Sequence, residues 1–415
     1  MDKICYNFNM IKGKRHVSKK NKTLTKERRL CLIIVSAVLV LIIIMRNRKI
    51  LDVAYYRLPP LVTDSLTDQI KKSYSGKIHF KVLPADVPLK SKKAKKYDLL
   101  FTWNGAGAEM LAAEAVELPA SLYGQIPDSE RRLGIVEGKN RMLPLLYDHY
   151  ELSFLKGTGG KKHAVPEDWN SFAVFLQEDA AGIQIPLFAA GADNRTLLAF
   201  VGVLAESLTG ADGYERLVEF VRKNPSAETV MDEQFGKLSD GKTPVTLRTV
   251  LDLIVSWQKS GIMHQTWFNG SETDVASFMK DKAAAAVFMP LSVHRTLQLR
   301  TVYPYETSHF PVDEAVPEHA LIAPAVVLVC YNKKQSFADT IRFLISVQAQ
   351  EALSNLTQLA PASSRAGAYD RQADDVRFWA AAYTDGPVSD FMNAAFTSDM
   401  QAGKFADDIR KYLGK

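Results

Sequence analysis

One uncharged stretch near the amino terminus constrains this chain more than any other feature of its sequence. Residues 30–45 read LCLIIVSAVLVLIIIM, and arginine or lysine lies on both sides of them. As a helix, this stretch would span roughly 24 Å, a little less than the ~30 Å hydrocarbon core of a bilayer, and the flanking basic side chains can reach the headgroups. We therefore predict a transmembrane anchor over residues 30–46.

Two alternatives compete with the anchor, namely a cleaved signal peptide and a buried core helix. A signal peptide would have small residues at a cleavage site just after the apolar stretch. Here the sequence continues RNRKILDVAYY, which offers no such site. A core helix would have a polar face, whereas this stretch is apolar all round. An uncleaved anchor fits both observations best.

The distribution of charge predicts the orientation of the anchor. Residues 1–49 carry 13 lysines and arginines and two acids, whereas residues 50–415 carry 39 and 44. Ten of the 13 positive charges precede the apolar stretch, so residues 1–29 are expected to form a basic cytoplasmic tail. We predict a single-pass protein of the inner (plasma) membrane, with its C-terminal domain periplasmic or extracellular. The acidic balance of residues 50–415 excludes nucleic acid as an expected partner.

The pattern of residues 50–147 indicates an α/β fold. Apolar strands alternate with amphipathic helices in the order β-α-β-loop-β-α-β, which is typical of a mostly parallel sheet with helices on both faces. The predicted strands are 49–56, 78–83, 97–102 and 142–147, and the predicted helices are 63–74 and 104–117. The basic segment between the second and third strands, KSKKAKK at 90–96, is expected to be a solvated loop, with lipid headgroups as the alternative contact.

The remaining sequence continues this mixture of helices and buried strands. Asp168 is expected to cap a helix, and residues 246–260 form a strongly amphipathic helix that ends before Gly261. Further predicted elements are strands at 183–188, 283–289 and 321–331 and helices at 197–208, 214–223, 275–282, 336–356, 376–383, 387–398 and 404–413.

Aromatic and hydrogen-bonding residues follow several of the predicted strands. Ligands of α/β sheets bind at the carboxyl ends of the strands, where rings can stack on a sugar and amide or carboxylate oxygens can bind its hydroxyls. The strongest candidate contacts are Trp103, Asn104, Tyr147 and Asp148. The weaker candidates are Tyr56, Trp267, Phe288 and Trp379. The alternative for each ring is a place in the hydrophobic core.

The sequence lacks the patterns that carry enzymatic chemistry. No G-x-S-x-G nucleophile elbow is present, and the glycines at 157–160 do not have the spacing of a phosphate-binding loop. His309 and His319 flank acidic residues at a spacing that matches no standard metal site. Asp148 and Glu151 would face opposite sides of a strand, so they would not act as a pair. We predict a non-enzymatic protein without cofactor or metal.

Four motifs in this order resemble the family 1 extracellular solute-binding proteins, the maltose-binding-protein-like proteins that deliver sugars to ABC importers. EGKNRMLPLLY at 137–147 is similar to the family's dGKlYGlPyy strand, and PEDWNSF at 166–172 is similar to its P-x-T-W-x-E-L helix start. SGI at 260–262 with FMKDKAAA at 278–285 is similar to a third motif. FADTIRFLISVQAQ at 337–350 with LAPA at 359–362 is similar to a fourth.

The resemblance implies a two-lobed, periplasmic-binding-protein-like (type II) clamp with a three-crossing hinge. Lobe 1 would hold residues 50–148 and 313–346, and lobe 2 would hold residues 151–308 and 347–415. The implied function is capture of a sugar or related small solute between the lobes for an ABC importer, whose permease subunits would be partners. The alternative is a binding-protein fold reused as a membrane-attached scaffold or sensor subunit with a protein partner.

Overall fold

A computed structural model describes residues 50–157, 165–332, 335–383 and 385–414. The predicted tail and anchor, residues 1–29 and 30–46, lie outside these ranges. In the described ranges, no helix combines the length and the apolar character needed to cross a membrane. Leu51–Lys415 form one compact unit.

The described strands and helices are numbered here in chain order. The strands are β1 Ile50–Tyr56, β2 Lys77–Leu83, β3 Leu99–Trp103, β4 Ile135–Val136, β5 Lys139–Asn140, β6 Met142–Tyr147, β7 Tyr150–Leu155, β8 Ile185–Ala189, β9 Gln234–Lys237, β10 Pro244–Thr246, β11 Ala284–Pro290, β12 Tyr305–His309, β13 Leu321–Ile322, β14 Ala325–Cys330, β15 Ala360–Pro361 and β16 Pro387–Val388. The helices are α1 Pro60–Ser73, α2 Ser91–Ala94, α3 Ala106–Ala112, α4 Asp128–Arg131, α5 Trp169–Val174, α6 Asn194–Lys223, α7 Ala227–Val230, α8 Leu247–Lys259, α9 Glu272–Lys280, α10 Leu291–His294, α11 Leu299–Val302, α12 Gln335–Leu344, α13 Val347–Thr357, α14 Arg371–Ala382, α15 Phe391–Ala395 and α16 Asp399–Leu413.

The first sheet confirms the predicted β-α-β pattern. Its strand order among the described residues is β15-β6-β14-β3-β1-β2. Strand β1 pairs in parallel with β3, and β14 runs antiparallel to both β3 and β6. The strands β3, β6 and β14 are buried along their whole length, because helices cover both faces of the sheet. The carboxyl ends of β1, β3 and β6 therefore meet at one edge.

The second sheet contains two strands that the sequence patterns did not predict. Its order is β12-β7-β11-β8, with β7 antiparallel to both β11 and β12. Strand β7 is buried throughout although it carries Glu151 and Ser153. Glu151 accepts a hydrogen bond from Ser153 and lies 2.6 Å from Nδ1 of His294. The alternation of apolar and polar residues in YELSF at 150–154 is itself typical of a strand, so the sequence contained a signal for β7.

Each sheet has its own hydrophobic core. The first core draws mainly on residues 51–147, 321–362 and 373–380, and the second on residues 150–310 and 391–413. The chain passes between the cores near residues 148–149, 311–320 and 383–390. That these passages act as a hinge remains a prediction.

Residues 347–382 pack with the first core, whereas the resemblance placed them in lobe 2. Helix α13 contacts α1 and β15, and β15 extends the first sheet by pairing with β6. Leu353 on α13 and Val376 on α14 are buried in the first core. An amphipathic helix only specifies that one face is buried; the pairing of β15 with β6 decides which core receives it.

Several local predictions are confirmed in detail. Asp168 caps α5, and Gly261 follows α8, which lies within the expected range 246–260, with a φ of +77°. The two helices expected at 197–208 and 214–223 form α6, which is kinked at Gly210. The single strand expected at 321–331 is divided into β13 and β14, and the single helix expected at 336–356 is divided into α12 and α13.

Candidate functional site

A cavity of about 530 Å³ lies at the carboxyl ends of β1 and β3. On the side of the first sheet it is lined by Trp103, Ala85 and residues 57–59. On the side of the second core it is lined by residues 192–195 at the start of α6, by Met392 and Asn393 of α15, and by Asp399. The cavity therefore has walls from both halves of the fold.

Arg195 crosses from the second core to the predicted aromatic contact of the first. Its guanidinium carbon lies 4.5 Å from the centre of the Trp103 ring and 5.6 Å from that of Tyr150. Asp193 caps α6 by accepting a hydrogen bond from the Thr196 amide, which fixes the helical turn that carries Arg195. Arginine stacked on an indole forms a cation–π contact, so at least one face of Trp103 is already occupied by protein.

Two buried carboxylates hold the guanidinium of Arg195. Nη2 lies 3.3 Å from Asp148 Oδ2, and Nε lies 3.6 Å from Asp390 Oδ2. Both carboxylates are 0% exposed, and the Arg195 side chain is 19% exposed. Burial alone would lower the pKa of Arg195, but Tyr150, Asp148 and Asp390 outweigh it and hold that pKa above its ordinary value. Arg195 is therefore a fixed cation in the cleft.

Asp148 is a structural centre as well as a partner of Arg195. Its carboxylate accepts hydrogen bonds from the backbone amides of His149 and Ser292, at 2.9 and 3.0 Å, and from the Ser292 hydroxyl at 2.6 Å. The neighbouring Tyr147 points away from the cleft, since its hydroxyl lies beside the buried Glu130 of α4. Burial, and after it the charge of Glu130, raises the pKa of Tyr147. Consecutive residues of a strand face opposite sides, which separates Tyr147 from Asp148.

Asn104 and Tyr56 form hydrogen bonds with other protein groups. The Asn104 side-chain oxygen accepts a hydrogen bond from the Ala325 amide, and its backbone oxygen accepts one from Ser389. The Tyr56 hydroxyl is within hydrogen-bonding distance of the backbone oxygens of Val87 and Thr397, at 3.1 and 3.0 Å. Both residues therefore help to join the two halves of the fold.

The remaining weaker candidates are distributed between the core and the junction of the two halves. Trp267 and Phe288 are 0% exposed and pack around Phe200 in the second core, so this conformation leaves them no surface for a solute. Trp379 is half-buried on α14, with its ring centre 5.2 Å from that of His149 and 5.5 Å from that of His309. Of the eight predicted contacts, the cavity is lined by Trp103 alone.

The sequence matches no known protein-family model and no curated protein, but the structure has extensive matches. The bacterial solute receptor AcbH, described as having an exclusive preference for β-D-galactopyranose, matches with a TM-score of 0.64 and 12% identity over 88% of this chain and 97% of its own. The putative binding protein MsmE of Bacillus subtilis, in an open conformation, matches with a TM-score of 0.62 and 14% identity over 89% and 96%. A sugar transporter protein of Bacillus licheniformis in complex with stachyose matches with a TM-score of 0.57 and 13% identity over 88% and 98%.

This chain has the fold of the family 1 extracellular solute-binding proteins. The comparison confirms the two-lobed α/β fold that the four sequence motifs implied. Within the part of the chain that the structure describes, no group of three or more histidine, cysteine, aspartate or glutamate side chains is arranged to hold a metal ion.

Ion pairs join the two lobes of this binding-protein fold around the cleft. Arg222 of α6 donates two hydrogen bonds to Glu109 of α3, at 2.8 and 3.0 Å. Arg295, which follows α10, donates two hydrogen bonds to Asp370, the N-cap of α14, at 2.8 and 2.7 Å. Arg57 Nε lies 2.7 Å from Asp399 Oδ1. These contacts connect lobe 1 to lobe 2 by protein groups alone.

Two arginines of the site were not among the predicted contacts. Arg57 follows β1 with a φ of +59°, and its Nη2 is buried without a hydrogen-bond partner among the described residues. Arg195 had one available signal in the sequence, because a basic side chain in the first turn of an otherwise apolar helix opposes the helix dipole. Such a residue is expected to have an acidic partner elsewhere, but the sequence does not indicate that the partner is Asp148.

Proposed function

We propose that this chain is a membrane-anchored, extracytoplasmic solute-binding protein that holds a sugar or related small solute in the cavity beside Trp103 and serves an ABC importer. The observation that carries the proposal is the position of the cavity, at the carboxyl ends of parallel strands and between the lobes of a solute-binding fold. Its volume, about 530 Å³, falls within the roughly 300–1,000 Å³ that small-molecule sites usually have.

The lining of the cavity suits a hydroxyl-rich solute. Asn194 and Asn393 offer amide groups, Asp193 offers a carboxylate, and Trp103 offers an indole ring. The unpartnered Nη2 of Arg57 is a further donor, and a buried donor of this kind usually has a partner in the functional state. A solute that contacts both walls would favour the arrangement in which the lobes approach each other.

The anchor, the location outside the plasma membrane and the permease partners rest on the amino-terminal sequence and on the fold. Residues 30–46 supply the membrane attachment, and the charge of residues 1–29 supplies the orientation. The solved proteins of the same fold include one that binds stachyose and one described as a chitin oligosaccharide binding protein, which favours sugars among the small solutes.

The test is thermal unfolding of the full chain in nanodiscs against a panel of sugars, polyols, peptides and polyamines. A solute at 100 times its dissociation constant adds about 2.7 kcal/mol to the free energy of unfolding, which raises the melting temperature by a few degrees. We expect one class of solute to raise the melting temperature selectively. The Asn194→Ala variant should bind that solute about tenfold more weakly. Asn269→Ala, outside the cavity, is the control. A panel without any shift, or a shift that Asn194→Ala leaves unchanged, would contradict this assignment.

The second candidate function is a scaffold or sensor subunit with a protein partner, and a specific observation favours it. The Trp103 face, the Asp148 carboxylate and the Asn104 amide are engaged by protein groups, and ion pairs join the lobes. If no solute shifts the melting temperature and the small-angle scattering profile stays unchanged across the panel, the scaffold becomes the better supported function.

A further inference from the structure

A surface rich in lysine lies at the amino ends of the first sheet, opposite to the cavity. It consists of Lys71, Lys72, Lys77, Lys92, Lys93, Lys95 and Lys96, and we name it the lysine face. Strand β1 begins at Ile50, and the Asp98 amide, just before β3, donates a hydrogen bond to the Asp52 oxygen at 2.8 Å. Lys95 and Lys96, which shortly precede Asp98, therefore lie near the start of β1.

The last turn of α1 and the start of β2 complete this surface. Lys71 and Lys72 belong to the last turn of α1, and Lys77 is the first residue of β2. His79 of β2 lies 3.1 Å from the Asp52 carboxylate, which places the beginning of β2 next to the beginning of β1. Segments that are separate in sequence thus contribute to one edge of the sheet.

The lysines are exposed and largely without acidic partners. All seven are exposed, and among the described residues only Lys95 forms an ion pair, with Glu114. The nearby Asp98 accepts hydrogen bonds from the Asp52 amide and the Asn332 side chain, so it is already engaged. The seven lysines face five acids in this region, Asp52, Asp68, Asp98, Glu114 and Glu117. The surface therefore carries a net positive charge.

The segment expected to be a loop holds its lysines in fixed positions. Residues 91–94 form the short helix α2, whose Ala94 is 0% exposed and packs in the first core. Lys92, Lys93 and Lys96 are exposed around this buried alanine. The helix thus presents several ammonium groups on one side of a rigid lobe.

We propose that the lysine face binds the anionic phospholipid surface of the membrane to which the chain is attached. The chain enters the folded unit at Ile50, on this same edge, and the predicted anchor ends at residue 46, so the tether is only a few residues long. Clusters of four to eight lysines close to a bilayer are attracted by anionic lipids, with about 1 kcal/mol for each lysine that lies within a Debye length of the surface.

This contact orients the cleft. Strand β1 has 7 residues, so the lysine face and the cavity lie roughly 20 Å apart at opposite ends of the same strands. Binding through the lysine face directs the mouth of the cleft away from the bilayer. The predicted anchor brings the lysine face close to the bilayer, and the contact with lipid does not depend on which solute or partner binds in the cleft.

The test is a lysine-acylation footprint of the full chain in vesicles of phosphatidylcholine alone or with phosphatidylglycerol. We expect acylation of Lys92, Lys93 and Lys96 to slow about threefold or more when phosphatidylglycerol is present, and to recover at about 0.5 M salt. The exposed lysines of the second lobe, Lys237 and Lys242, are the internal controls and should be unaffected. Equal acylation in both kinds of vesicle would overturn the proposal.

A pair of matched variants separates the lysine face from total charge. The triple variant Lys92→Glu, Lys93→Glu, Lys96→Glu should abolish the protection of Lys71, Lys72 and Lys77 by phosphatidylglycerol. The control triple variant Lys237→Glu, Lys242→Glu, Lys259→Glu changes the net charge equally and should leave that protection intact. If both variants lose protection, or if soluble polyphosphate protects the lysine face as well as vesicles do, the surface is a general anion site and the membrane proposal fails.

Discussion

The two edges of the first sheet carry charge in opposite ways. At the carboxyl edge the charges at the centre of the junction are buried or half-buried and have defined partners, as Arg195 has in Asp148 and Asp390. At the amino edge six of the seven lysines have no acidic partner in the described part of the chain. The same strands therefore end at paired, largely buried charges on one side, which we call the ionic junction. On the other side they end at the exposed, mostly unpaired lysines of the lysine face.

This difference determines how each edge responds to mutation and to salt. A buried charge that loses its partner cannot be rehydrated, so removal of the partner lowers the free energy of unfolding strongly. Exposed charges interact through water and are screened beyond about 8 Å at physiological ionic strength. We expect the carboxyl edge to dominate stability and the amino edge to dominate long-range attraction.

The largest effect is expected for Asp148→Ala. The change removes the acceptor of Arg195 and of the Ser292 hydroxyl and leaves a largely buried cation with one remaining partner, so the free energy of unfolding should fall by about 4 kcal/mol. Denaturant unfolding measures the loss, and Asp128→Ala, whose carboxylate is exposed, is the control. The double variant with Arg195→Met should recover part of the loss. Equal stabilities of Asp148→Ala and Asp128→Ala would contradict the ionic junction.

The next effect is expected for Gly105→Ala at the same edge. Gly105 has a φ of +118°, and a β-carbon there would lie 2.3 Å from the Asn393 backbone oxygen of the other lobe. Backbone strain and overpacking together should cost about 3 kcal/mol and push the lobes apart. Small-angle scattering and thermal unfolding measure these two consequences.

Gly138→Ala provides the matched control for Gly105. Gly138 also has a positive φ, +71°, but nothing lies within 4 Å of the position that a β-carbon would take there. It should therefore show the cost of backbone strain without separation of the lobes. If both variants scatter like the wild type, the close approach at Gly105 does not set the distance between the lobes.

A smaller, pH-dependent effect is expected at His149, between the lobes. Burial, and to a lesser degree His309, lowers the pKa of His149 to about 3, whereas the unfolded chain should titrate near 6.5. Between these values the unfolded state binds more protons, so stability should fall as the pH decreases, by about 1–2 kcal/mol from pH 7 to pH 5. His149→Phe should flatten this dependence in denaturant titrations, and His79→Phe, at an exposed site, should not. A profile that is equally steep in both variants would assign the dependence to other groups.

The smallest effect on stability is expected for the triple variant of the lysine face. Because these side chains are exposed, Lys92→Glu, Lys93→Glu, Lys96→Glu should change the free energy of unfolding by less than about 0.5 kcal/mol. Relief of repulsion among the lysines makes a small gain at low salt the expected direction. Denaturant unfolding at two salt concentrations measures it, and a loss comparable to that of Asp148→Ala would show that the two edges do not differ.

The sequence by itself determined the local elements and one edge of the site. Hydrophobic patterns placed β1, β2, β3 and β6 of the first sheet, and Gly261 placed the end of α8. Because parallel strands end at a common edge, the strand pattern also predicted that Trp103 and Asp148 lie near the cleft. These features depend on residues close in the chain, and such information is present in a sequence window.

Only the tertiary structure decided which groups meet across that edge. Asp148 and Arg195 are 47 residues apart in the chain, and their contact depends on how α6 packs against the second sheet. The same reason explains why α13 joins the first core. A buried charge and an amphipathic helix each specify that partners exist, whereas the identity of those partners follows from the packing of the whole chain.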